Sequence, residues 1–216
     1  MRNSFDMQLR KLNNELIEMG SLIETAIARA YKGLINQNIE IAKENVEFDR
    51  EIDQKEKEVE NICLKLLLQQ QPVASDLRLI SSAIKMITDM ERIGDQAADI
   101  AEIITFLGGR SGGECEYISL MAKSAIKMVT ESVDAFVKRD LELANTAIRH
   151  DDIVDDYFKK VKSSLIKMIA DKPDDGEYAL DLLMIAKYFE RIGDHAVNIA
   201  EWVVFSVTGS HKEGTV

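Results

Sequence analysis

The chain is poor in the residues that break helices. Among 216 residues there are two prolines, Pro72 and Pro173, and 11 glycines. Long stretches without proline carry apolar residues at three- and four-residue spacing, which predicts helices. Val, Ile and aromatic residues nowhere alternate with polar ones over enough positions to predict a strand. Cysteine is scarce too: Cys63 and Cys115 form no disulfide framework and no metal-ligand spacing, and suit a reducing compartment. No apolar run approaches the roughly 18 residues a membrane-spanning helix needs. The start, MRNSFDMQLRKLNNEL, has no apolar signal core. A cytoplasmic protein is expected. Basic residues are in deficit: 27 Lys and Arg against 38 Asp and Glu leave a net charge of −11. That excludes a nucleic-acid partner, whose binding rests on cationic side chains, and suits cations or a basic partner surface.

What the chain has is a repeat. Residues 91–102 read ERIGDQAADIAE and residues 190–201 read ERIGDHAVNIAE, nine of twelve positions being identical. The offset is 190 − 91 = 99. Asp49-Arg50-Glu51-Ile52-Asp53 matches Asp151-Asp152-Ile153-Val154-Asp155 at an offset of 102, and the prolines lie 101 apart. The punctuation repeats as well. Asn36-Gln37-Asn38 and Arg139-Asp140 separate the first from the second helix of each half. Gln71-Pro72 and Lys172-Pro173-Asp174-Asp175-Gly176 mark the next turns, because a residue before proline leaves the helical region. Ser75 is the expected cap of the third helix, and Asp174 with Glu177 a capping-box-like start for the sixth. Gly108-Gly109-Arg110-Ser111-Gly112-Gly113 reads as a flexible linker. The expected fold is all-α: tandem, duplicated three-helix bundles over 1–107 and 114–216, joined end to end by 108–113. At 46% hydrophobic content, each half of about 100 residues is long enough for its own core.

Residues four apart drift by about 40° around a helix. Glu91, Asp95 and Asp99 therefore form a stripe, rejoined by Glu102, beside an apolar face of Ile80, Ile84, Ile87, Met90, Ala97, Ala98 and Ala101. The sixth helix repeats it with Glu190, Asp194, Asn198 and Glu201. The second helix offers Asp49, Asp53, Glu56 and Glu60 beside Ile52, Val59, Ile62 and Leu66. The fifth offers Asp151 and Asp155, then Phe158 and Lys162, so the second groove is expected to be shorter and less acidic. Two facing rows of carboxylates suit a hard cation. A single stripe is most simply a solvated face, paired here with Lys55, Lys57, Arg92 or Arg191. The matching stripe on a neighbouring helix, and its recurrence in the other half, favour the cation. Gly94 and Gly193 allow close helix approach at equivalent places. His150 and His195 read foremost as border histidines, with nitrogen ligation the lesser alternative, and His211 lies in a polar tail. Met86, Met90, Met121, Met128, Met168 and Met184 read as core, Trp202 and Phe205 as core or a dimer contact.

These residues resemble those of the PhoU family of phosphate-transport regulators, over nearly the whole chain: the duplicated six-helix plan, the E/D-x-x-x-D pairs and the repeated ERIGD-x-A phrase. The resemblance implies multinuclear metal clusters on the bundle surfaces, iron foremost, with Zn, Mn and Mg left open by oxygen-rich sites. The first cluster would use Asp49, Asp53, Glu91 and Asp95, with Asp99 in addition; the second Asp151, Asp155, Glu190 and Asp194. Glu56, Glu60, Asn198, His150 and His195 are weaker candidates. It further implies a non-enzymatic negative regulator of phosphate uptake and phosphate-starvation signalling. Its partners would be the ATPase of the phosphate ABC transporter and a sensor histidine kinase, with membrane contact through partners only. A homodimer is the expected assembly. The alternatives are a di-metal carboxylate oxidase or hydrolase, disfavoured by the absence of Glu-x-x-His pairs, and a metal-free helical adaptor.

Overall fold

The computed structural model describes residues 2–69, 73–111 and 115–210. Over these the chain is α1 (Arg2–Asn36), α2 (Ile39–Gln69), α3 (Ala74–Ile104), α4 (Glu116–Lys138), α5 (Leu141–Asp171), a 3-10 turn (Pro173–Asp175) and α6 (Gly176–Thr208). The 31 residues of α2 span about 46 Å at the usual rise. No strand occurs among the described residues.

The breaks after the first helix of each half fall where expected, each for a local reason. Gln37 takes φ +56°, a left-handed stop, and Asn38 Oδ1 accepts the Ile41 amide at 3.0 Å. Arg139 repeats the left-handed stop at φ +54°. Asp140 then accepts from the amides of Glu142 and Leu143 at 2.9 and 3.0 Å, satisfying donors that the first turn leaves open. Two other caps differ from expectation. Ser75 lies inside the first turn of α3, which starts after Val73 without a side-chain cap; a cap must precede the helical residues. Asp174 and Asp175 belong to the 3-10 turn, so the capping box to Glu177 does not form. Gln71-Pro72, Gly112-Gly113 and His211 lie outside the described residues.

Within each half the three helices pack on one another, and the halves also pack together, α3 along α6 and α1 along α4. The bundles therefore lie side by side, not end to end. α3 and α6 bury residues around too wide an arc for one bundle to cover, from Ile80 to Ile104 and from Tyr178 to Val203. The buried side chains make one continuous core through both halves. α1 and α4 approach closely where a Cβ on Gly20 would lie 3.2 Å from Val133 Cγ1. Met184 is 46% exposed and thus not core, and Met168, Trp202 and Phe205 are half-buried. The other four methionines named above are buried, as are Cys63 and Cys115, both free thiols.

The linker is held at its described end. Gly108 and Gly109 take φ +61° and +83°, which only glycine adopts freely. Arg110 Nη1 then donates to Asp175 Oδ1 at 2.8 Å. Its guanidinium lies 3.6 Å over the Tyr178 ring, and the Tyr178 hydroxyl donates to the Ser111 carbonyl at 2.6 Å. Residues 108–111 are clasped to the start of α6 instead of being a free hinge, and this contact takes the Asp175 carboxylate that would otherwise cap α6.

Candidate functional site

The two acidic rows of the first half meet where α2 crosses α3. Gly94 makes the approach possible: a Cβ there would stand 2.9 Å from Ile52 Cδ1 and 3.0 Å from Asp49 Oδ1. The Asp49 carboxyl is thus pressed against the backbone of α3. Its Oδ1 is buried and has no hydrogen-bond partner. Burial, then the charges of Asp95, Asp53 and Asp99, push its pKa from 3.8 to about 6. Burial and Asp95 likewise push Glu91 up, against Arg92, with Glu56 and Asp53 adding to the repulsion. Burial, Glu60 and Asp53 raise Glu56, while a Thr88 hydrogen bond opposes them. Asp49, Asp53, Glu56, Glu60, Glu91, Asp95 and Asp99 therefore act on one another across a single groove.

The second half repeats the arrangement. A Cβ on Gly193 would lie 3.2 Å from Asp151 Oδ1, and that oxygen too is buried without a partner. Burial, then Asp194, Asp155, Asp152 and Glu190, raise the Asp151 pKa to about 6. Asp194 is raised by burial and Glu190, with Lys187 opposing. Two carboxyl oxygens at equivalent positions are thus desolvated among like charges, a costly state for an ionised group. A cation with oxygen preference would relieve it in both halves, so the residues present fit such an ion. Among the described residues, no three His, Cys, Asp or Glu side chains are already drawn together in ligating geometry.

The remaining candidates divide. Asp53 and Asp95 share the first groove, but Asp95 also takes Arg92 Nη1 at 3.0 Å. Lys55 turns away to Glu15 and Glu18 at 3.0 and 2.9 Å. In the second groove Lys187 pairs with Glu190. The three nitrogen-bearing candidates are engaged elsewhere. His150 Nδ1 lies 2.7 Å from Glu131 Oε2 on α4. His195 Nδ1 lies 2.9 Å from Asp89 Oδ1 on α3, and Asn198 Nδ2 donates to that same oxygen at 3.0 Å. Reading the sequence alone missed Asp89, Glu131 and Tyr188, which have no counterpart in the repeated phrase. Asp99 on α3 and Tyr188 on α6 act on one another electrostatically across the seam.

Twin antiparallel three-helix bundles, each with a carboxylate groove between its second and third helices, define the class of protein. The PhoU domain family model matches twice, at residues 16–104 and 118–203, and the chain belongs to that family. It is 35% identical over 214 residues to the phosphate-specific transport system accessory protein PhoU homolog of Clostridium acetobutylicum, covering 98% of each chain. To the Pseudomonas aeruginosa homolog it is 34% identical over 208 residues, covering 95% of this chain and 86% of that one. Among solved structures, PhoU from Pseudomonas aeruginosa superposes with a TM-score of 0.87 at 33% identity, covering 95% of this chain and all of the other. The phosphate transport system regulatory protein PhoU from Streptococcus pneumoniae gives 0.88 at 26% identity, covering 97% of this chain and all of the other.

Proposed function

We propose that this protein is a metal-binding, non-enzymatic negative regulator of phosphate uptake and phosphate-starvation signalling. Membership of the PhoU family supports the accessory role, since the relatives are named for the phosphate-specific transport system. One observation carries the metal reading: Asp49 Oδ1 and Asp151 Oδ1, at equivalent positions, are both buried, both unpartnered and both crowded by carboxylates. Asp49, Asp53, Glu91, Asp95 and Asp99 would hold ions in the first groove, and Asp151, Asp155, Glu190 and Asp194 in the second. Iron is the first choice, with Zn, Mn and Mg compatible with all-oxygen ligands. The bound charge would let a chain at −11 attract phosphate, which its own surface repels.

The regulator acts in the cytoplasm on the ATPase of the phosphate ABC transporter and on a sensor histidine kinase, reaching the membrane through them, and works as a homodimer. No helix among the described residues is long and apolar enough to cross a membrane. Elemental analysis after loading and gel filtration tests the reading. Asp95→Asn and Asp194→Asn are expected each to lower metal content, and to release the phosphate-starvation response in cells at high phosphate. Unchanged metal content in the double variant refutes the metal role. An unchanged response in cells lacking the protein refutes the regulatory one.

A further inference from the structure

Toward the turn between α5 and α6 the second half departs from the first, and the departure runs in one direction. At the offset of 102, Glu56 of α2 becomes Phe158 of α5, Glu58 becomes Lys160 and Glu60 becomes Lys162. At the offset of 99, Ser81 of α3 becomes Leu180 of α6, Lys85 becomes Met184 and Thr88 becomes Lys187. Residues 157–169 hold four lysines and no acid, whereas their counterparts 55–67 hold three lysines and three glutamates. α5 packs on α4 and α6 and turns its outer face to solvent. Ile166 is 60% exposed, Leu180 58% and Met184 46%. Lys187 Nζ lies 5.6 Å over the Phe158 ring, which sets the level of the two antiparallel helices. Two turns further toward the α5–α6 turn, Ile166 and Leu180 stand abreast. Lys159 pairs with the exposed Asp156 at 3.0 Å, and Lys160 Nζ lies 5.2 Å from the Tyr157 ring centre. Among the described residues, Lys162 and Lys167 make no ion pair.

We propose that this α5–α6 face docks directly on an anionic lipid bilayer, besides any contact made through partners. Charges more than about 8 Å away are screened at physiological salt, so the lysines of the face, and not the net charge of −11, set the field that a bilayer meets. Lysines beside an anionic leaflet are attracted to it, and the aliphatic side chains among them enter the boundary between headgroups and acyl chains. The charge type selects lipid over an acidic protein. Protein interfaces favour arginine, whose planar fork matches carboxylates, and are poor in lysine. A fluid layer of headgroups asks only for point charges on flexible stems, which is what Lys159, Lys160, Lys162 and Lys167 supply. The equivalent surface of the first half, with Glu58 and Glu60, is repelled by the same leaflet. The chain thus has one lipid-facing end, and none of the proposed cation ligands lies in it.

The test is cosedimentation of the full chain, in chelator, with vesicles of phosphatidylglycerol and phosphatidylcholine in equal parts, and with phosphatidylcholine alone. The parent is expected to bind the first, less as salt rises, and to leave the second in solution. Lys160→Glu/Lys162→Glu installs the residues of the first half and is expected to weaken binding on the order of 100-fold. Ile166→Ser/Leu180→Ser, at two exposed positions, is expected to weaken it about 10-fold. Lys57→Glu/Lys65→Glu on α2 changes the net charge by the same amount but lies outside the face, and is expected to cost less than about 3-fold. A parent that does not prefer the anionic vesicles overturns the proposal. So does an equal loss from the α2 and α5 pairs, which makes binding a matter of net charge. Capture by poly-glutamate with the vesicles left unbound also overturns it, and assigns the face to an acidic protein partner instead. All of these outcomes are independent of whether the grooves hold cations.

Discussion

The two mid-helix glycines occupy equivalent places but differ in the space around them, and replacing each by alanine separates two opposing energies. In a helix interior alanine is favoured over glycine by about 1 kcal/mol. At Gly94 the new methyl meets Ile52 Cδ1 at 2.9 Å, Asp49 Oδ1 at 3.0 Å and Ile52 Cγ2 at 3.1 Å. Ile52 is fully buried, and Cγ2 sits on its branch point, so neither atom clears the methyl without turning the whole side chain. Overpacking of this kind costs about 1–3 kcal/mol. The expected balance for Gly94→Ala is a loss of about 0–2 kcal/mol. At Gly193 the nearest atom is Asp151 Oδ1 at 3.2 Å, followed by Val154 and Met128 at 3.6 and 3.8 Å, ordinary contacts. Gly193→Ala is expected to be neutral or stabilising by up to about 1 kcal/mol. The difference, about 1.5 kcal/mol at the middle of these ranges, corresponds to roughly 3–6 °C in melting temperature for a chain of this size. Calorimetry of both variants in chelator measures it. Gly193→Ala melting at or below Gly94→Ala refutes the account of the helix crossing. Gly94→Ala should also weaken metal uptake by the first groove more than Gly193→Ala weakens the second, because the methyl displaces Asp49.

Three further outcomes are expected. Asp49 and Asp151 have folded pKa values raised to about 6 from 3.8, so the folded chain binds more protons than the unfolded one between those values. Metal-free protein should therefore lose stability as pH rises from about 4 to 6, by about 1 kcal/mol per groove after solvent screening. Urea midpoints at pH 5 and 7.5 measure it, Asp49→Asn/Asp151→Asn should flatten the profile, and rising stability over that range contradicts the burial argument. Asn198→Asp, which restores the residue of the first half, sets a second carboxylate against Asp89, now 3.0 Å from the amide. At this exposed place the repulsion is about 1 kcal/mol, visible as a lower melting temperature at pH 7 that recovers near pH 3; no loss at pH 7 counts against the seam contact. Arg110→Ala removes both the Asp175 pair and the stacking on Tyr178, and faster proteolysis around residues 108–111 is expected, with an unchanged cleavage rate showing that the clasp does not restrain the linker.

The amount legible in the sequence differs between the helices, the grooves and the seam. Helix number, the turn at Gln37 and the cap at Asp140 follow from local chemistry, which short range makes readable. So do the stripes: a 3.6-residue period places Asp49 with Asp53 and Glu91 with Asp95 on any helix they form. Two apparent caps failed because the helix starts shifted by a few residues: Ser75 falls inside the first turn of α3, and Asp174 in the 3-10 turn before α6. Met184 was misplaced because periodicity defines a face without saying which neighbour covers it.

By itself the amino-acid order determined six amphipathic rods in two matching sets, each set carrying stripes of carboxylates on two of its rods, since periodicity and duplication are properties of the chain. Tertiary structure alone decided that the sets lie side by side, and that Asn198 and His195 serve Asp89. It likewise decided that one carboxyl oxygen each of Asp49 and Asp151 is buried. Those outcomes depend on contacts between residues about 40–110 positions apart, where no local pattern records which faces meet.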